Sequence, residues 1–112
     1  MWTFKAISVD MDDSYMVVGA DQSNKALVYA YSSAYNTWGT TADTTFNAPD
    51  NVNSFGQSVG IDGNNVVVGA SGSGSAFIFE YSSSAWQTTA AAAITGYSDT
   101  NMFGIDVDIQ GN

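Results

Sequence analysis

Apolar residues along this chain fall in short clusters: Tyr15-Met16-Val17-Val18, Ala26-Leu27-Val28-Tyr29, Val66-Val67-Val68 and Ala76-Phe77-Ile78-Phe79. Runs of Gly, Ser, Thr, Asn and Asp separate them. No long stretch carries a 3.6-residue period. Short β-branched and aromatic runs between turn residues predict many strands. The one helix-like run is Thr88-Thr89-Ala90-Ala91-Ala92-Ala93-Ile94. Alanine favours helix, but this run is short, uncapped and bracketed by Trp86 and Gly96, and it reads as a strand of small residues.

The clusters repeat. Ser8-Val9-Asp10-Met11-Asp12 through Val17-Val18-Gly19-Ala20 aligns with Ser58-Val59-Gly60-Ile61-Asp62 through Val67-Val68-Gly69-Ala70, at an offset of 50 (58 − 8). The same offset carries Ala26 onto Ala76, Tyr29 onto Phe79 and Tyr31 onto Tyr81; Trp38 meets Trp86 after a two-residue slip. Phe103-Gly104-Ile105-Asp106-Val107-Asp108-Ile109 then matches Phe55-Gly56-Gln57-Ser58-Val59-Gly60-Ile61 at an offset of 48 (103 − 55). The chain therefore divides into a first unit over 1–53, a second over 54–101, and the opening strand of a third over 102–112.

Turn chemistry divides each unit into four strands. In the second unit these are Phe55–Ile61, Val66–Ala70, Ala76–Tyr81 and Trp86 to about Ile94. The first two are joined by the Asp62-Gly63-Asn64-Asn65 turn, whose residues tolerate positive φ. The first unit repeats the pattern as Ile7–Met11, Tyr15–Ala20, Ala26–Tyr31 and Trp38–Phe46. The second and third strands of each unit are apolar at consecutive positions, which predicts cover on both faces of the sheet. Four-stranded antiparallel units of this length, covered on both faces, are blades of a β-propeller. The expected fold is all-β: two blades plus one strand of a partial propeller.

Phe55-Gly56, Ser58-Val59, Val66-Val67-Val68-Gly69-Ala70, Gly74-Ser75-Ala76-Phe77-Ile78-Phe79 and Trp86 together resemble the FG-GAP repeat, the unit of the integrin-α propeller and of many surface proteins. The resemblance covers nearly the whole chain. It departs from the family where Asp21 and Ser71 replace a frequent Pro, where Phe4-Lys5-Ala6 stands in place of Phe-Gly, and where Asp106 replaces the serine. Integrin-type repeats often hold calcium in an Asp-rich loop between their first two strands, because a hard cation needs many oxygen ligands. Here the residues four before Gly19 and Gly69 are Tyr15 and Asn65, and Met11 and Val9 stand upstream, so the ligand pattern is missing. Asp10, Asp12 and Asp13 could attract calcium only weakly. They read as a solvated acidic turn, with Asp12 capping the hairpin. No cofactor or metal site is assigned.

Composition narrows the function. Eleven acidic residues face two basic ones, for a net charge of −9. Nucleic-acid binding is disfavoured, since it needs Lys and Arg on phosphates, and so is binding to anionic membranes. Neither Cys nor His occurs, which removes thiolate and imidazole chemistry. No apolar run reaches transmembrane length. Met1-Trp2-Thr3-Phe4-Lys5 does not read as a signal peptide, although a mature or excised segment reads the same way.

Catalysis lacks a motif. Asp106 and Asp108 alternate on one strand and share a face, whereas glycoside hydrolysis needs carboxylates facing across a cleft. Gly72-Ser73-Gly74 lacks the helix and lysine of a phosphate loop. Trp38, Trp86, Tyr31 and Tyr81 recur and read as packing; Tyr35, Tyr97 and Trp2 do not recur and are the candidates for stacking on a sugar.

The resemblance and these exclusions give an expected function: a non-catalytic extracellular or cell-surface module that recognises a protein or glycan or builds a structural assembly. A lectin-like, carbohydrate-binding propeller is the alternative. Expected partners are further propeller repeats in the same or other chains. Two blades leave open faces and edges, so the chain is expected to belong to a longer polypeptide or to oligomerise.

Overall fold

A computed structural model describes residues 6–96 and 106–110. These form ten strands: β1 (Ser8–Met11), β2 (Tyr15–Ala20), β3 (Lys25–Ser32), β4 (Thr37–Trp38), β5 (Thr44–Asn47), β6 (Phe55–Asp62), β7 (Asn65–Ala70), β8 (Ser75–Ser82), β9 (Ala85–Trp86) and β10 (Ala92–Thr95). β1 to β5 make one antiparallel sheet and β6 to β10 the other. The fold is all-β, with two propeller-like blades.

The repeat is a structural one. β2 and β3 pair from Tyr15↔Ala30 to Ala20↔Lys25, and β7 and β8 pair from Asn65↔Glu80 to Ala70↔Ser75, each partner displaced by 50. Ser8↔Gly19 in the first blade becomes Ser58↔Gly69 in the second. The inner hairpin of the first blade turns at Asp12–Tyr15, where Asp12 Oδ1 accepts from the backbone N–H of Ser14 and of Tyr15, both at 2.9 Å. Asp12 thus caps the hairpin as its position in the sequence suggested. In the second blade Gly63, at φ 61°, closes the equivalent turn. The Ser71–Ser75 loop is a single 3-10 turn over Ser71–Ser73, ended by Gly74 at φ 60°; Asp21–Ser23 and Asn24 repeat it.

The fourth strand differs from expectation. In the first blade it is split into β4, paired with Tyr31 and Ser32, and β5, paired with Lys25 to Val28. Ala30 O accepts from Gly39 N–H and Val28 O from Asp43 N–H, so the three residues between them bulge away from the ladder. The second blade does the same with Gln87 and Ala91, which donate to Glu80 O and Ile78 O. Hence Thr88–Ala91 is irregular, Ala92–Thr95 is strand, and no part of the alanine run is helical. The described part of the third unit, Asp106–Gln110, carries no strand ladder; Phe103–Ile105 lie outside the described residues.

Each blade has two faces, fixed by strand alternation. The rear face of the first blade carries Val17, Ala26, Val28 and Phe46, all fully buried. The front face of the second carries Val59, Ile61, Val66, Val68, Phe77 and Phe79, and the two faces form one continuous core. Phe46 stacks on Phe79 at 4.2 Å between ring centroids, and Tyr15 meets Trp86 edge-on at 5.4 Å.

Candidate interaction site

The seam between the blades is built from alternate residues of β1. Ser8, Asp10 and Asp12 project on the same side, toward β6. Ser8 Oγ donates to Gly56 O at 3.2 Å; Asp10 Oδ2 accepts from Ile61 N–H at 2.9 Å; Asp12 Oδ2 accepts from Gly63 N–H at 3.2 Å. Three side chains thus bond backbone groups of Gly56 and Ile61 on the edge of β6 that faces away from β7, and of Gly63 just beyond it. Asp10 is therefore not a solvated turn residue, contrary to the sequence reading. It is half-buried and bonded to the next blade. Asp12 uses both carboxylate oxygens on backbone N–H groups, and Asp13 is exposed. Among the described residues no three acidic side chains gather closely enough to hold a metal ion.

The same seam explains the recurring glycines. Gly56 sits at φ 96°, a region favouring glycine. A Cβ on Gly19 would collide with Gly56 O. The Gly of Gly-Ala in one blade and the Gly of Phe-Gly in the next are contact partners, and Phe55 beside them is fully buried.

Behind the second blade the pattern continues in altered form. Ser58, Gly60 and Asp62 occupy the positions of Ser8, Asp10 and Asp12. A Cβ on Gly60 would lie 3.4 Å from Asp108 Cα and 3.5 Å from Ile109 N, so Asp106–Gln110 passes where β6 passes behind the first blade. Gly60 offers no carboxylate, and Ile109 N–H is accepted at 2.9 Å by Oδ1 of Asp108, its own neighbour.

Among the described residues the front face of the first blade is covered only in part: Leu27, paired with Val18, is 7% exposed, but the side along β1 is open. Val9 is 60% exposed where Val59 is 7%, and Met11 is 52% exposed where Ile61 is 4%. Met16, Val18 and Tyr29 on that face are half-buried, whereas their counterparts Val66, Val68 and Phe79 are buried. At the opposite end, Ile94 is 46% exposed where its counterpart Phe46 is 0%.

The recurring aromatics pack as expected. Trp86 contacts Tyr81, Tyr15 and Phe46, and Trp38 contacts Tyr31. Burial is the main cause holding the Tyr15 phenol above its ordinary pKa, with Tyr81, Asp43 and Asp12 adding to it. Of the sugar-stacking candidates, Tyr35 is 82% exposed on the turn between β3 and β4; Tyr97 and Trp2 lie outside the described residues. An open polar cleft of about 390 Å³ lies beside the blade linker, lined by Lys25, Asn47, Asp50, Asn51 and Asn53 among others. Lys25 Nζ donates to Asn47 Oδ1 within it. Of the large exposed hydrophobics among the described residues, Ile7, Val9 and Met11 lie on or beside edge strand β1. No family model matches this chain, and no curated protein or solved structure does either.

Proposed function

We propose that this chain is a non-catalytic repeat module of FG-GAP type, placed outside the cell or on its surface, which acts by docking proteins through blade faces. One observation carries the reading: an apolar sheet face that one blade buries stands partly open on the other, at Val9 and Met11. Contiguous apolar surface of this kind marks protein interaction sites. The Phe-Gly and Gly-Ala motifs, which meet at the seam, support the family assignment. The glycan reading draws on Tyr35 and on the amide-rich cleft, since an exposed aromatic can stack on a sugar ring.

Probing the immobilised chain against a glycan microarray and a panel of extracellular proteins separates the two. Protein binding that is lost on Val18→Lys, with no glycan bound, is the expected result. Glycan binding that disappears on Tyr35→Ala installs the lectin reading instead.

A further inference from the structure

We propose that the open front face of the first blade is the docking surface for a second copy of this chain, which presents the rear of its own second blade, head to tail. This deepens the docking function proposed above and rests on it.

The chain itself shows what such a face packs against. Val9 and Met11 stand where Val59 and Ile61 are buried by the neighbouring blade. The chain also carries a matching surface at its other end. Val67, Ala76 and Ile78 on the rear of the second blade correspond to Val17, Ala26 and Val28; Val67 and Ala76 are buried within the chain and Ile78 is half-buried, while Ile94 is open where Phe46 is enclosed.

The inner edge fits in detail. Behind the second blade the seat at Gly60 takes a strand that brings its own aspartate, as Asp108-Ile109 does. β1 carries an aspartate followed by an apolar residue in the equivalent place, Asp10-Met11. Asp10 holds Ile61 N–H through Oδ2, which leaves Oδ1 to accept Met11 N–H in the way that Asp108 Oδ1 accepts Ile109 N–H. Glycine opposite aspartate also avoids setting two carboxylates against each other in a partly dry seam, which would be costly.

The seat is already held, by Asp106–Gln110 of the same chain. That segment forms no ladder, and an incoming β1 brings a whole blade with it. The incoming copy therefore displaces the segment, and the segment acts as a built-in competitor of assembly. Because front and rear are different surfaces, the contact is heterologous; copies join into rings or open filaments.

Two substitutions at exposed positions test this without entering the core. Val9→Lys blocks the front face and Ile94→Lys blocks the rear. In sedimentation velocity the unmodified chain should show species that grow with concentration, and each variant alone should stay monomeric. An equimolar mixture of the two should form a 1:1 dimer and nothing larger, since one intact front then meets one intact rear. Truncation after Ile105 should tighten self-association by about tenfold or more, because the competitor is gone. A wild-type chain that stays monomeric at every concentration overturns the proposal, as does a mixture that fails to dimerise or a truncation that leaves association unchanged. None of those failures touches the docking of other proteins, which the binding panel reads separately.

Discussion

At Gly19 the two blades pass too close to leave room for a side chain. Any side chain there meets the Gly56 carbonyl, which the Phe55 bulge holds in place. Gly19→Ala is expected to destabilise the fold by about 1–3 kcal/mol, the usual cost of overpacking. Gly39→Ala is the control, since its nearest neighbours to a new Cβ stand at 3.5 and 3.9 Å. Urea denaturation should show a lower midpoint for the first and little change for the second. Tyr15, on the same seam, links stability to pH. Its folded pKa is raised above 10.0, so the neutral phenol is the form the fold favours. That contribution is whole below the unfolded pKa and is lost as pH rises through the folded one. Stability should therefore fall as pH rises above about 10, the unfolded value, and Tyr15→Phe should lose less there.

At the scale of the element, β1 works through its side chains more than through its backbone. It is only four residues long, yet Ser8, Asp10 and the adjoining Asp12 reach both ends of β6, at Gly56 and at Ile61 and Gly63. Asp10→Ala leaves Ile61 N–H without its acceptor and should cost about 1–3 kcal/mol. Asp10→Asn keeps an oxygen there and should cost less, in chemical denaturation of both variants. The order and pairing of the strands were legible in the sequence because the repeat offset and the turn residues set the registers of β2 with β3 and of β7 with β8. The split of the fourth strand was not. Thr40-Thr41-Ala42 and Thr88-Thr89-Ala90 suit a continuous strand in composition, and only the hydrogen bonds to Ala30, Val28, Glu80 and Ile78 show where the ladder breaks. Asp10 was misread for a different reason. Beside Asp12 and Asp13 it looks like part of a charge run, but spacing of two from Ser8 and Asp12 puts it on the buried side of a strand. That alternation was the available signal.

For the molecule as a whole, charge opposes compactness. A net charge of −9 on a small chain repels itself, and screening relieves that repulsion. Raising sodium chloride from about 10 mM to about 150 mM at neutral pH is expected to raise the melting temperature by a few degrees. A scanning calorimetry series at fixed chain concentration checks it. The same screening eases the approach of two like-charged copies, so comparison at several low concentrations isolates the effect on folding.

The turn between the third and fourth strands holds four residues in one blade, Ser33–Asn36, and two in the other, Ser83 and Ser84. The change from an offset of 50 to one of 48 happens there and nowhere nearer the seam. Tyr31 still faces Trp38 and Tyr81 still faces Trp86 across it. Because the turn absorbs the extra residues and the pairing register is kept, every downstream side chain stays on its own side of the sheet. The rim turn is therefore the place where this architecture tolerates added sequence: a peptide epitope or tag spliced between Ala34 and Tyr35 would be displayed to solvent while the seam keeps its geometry.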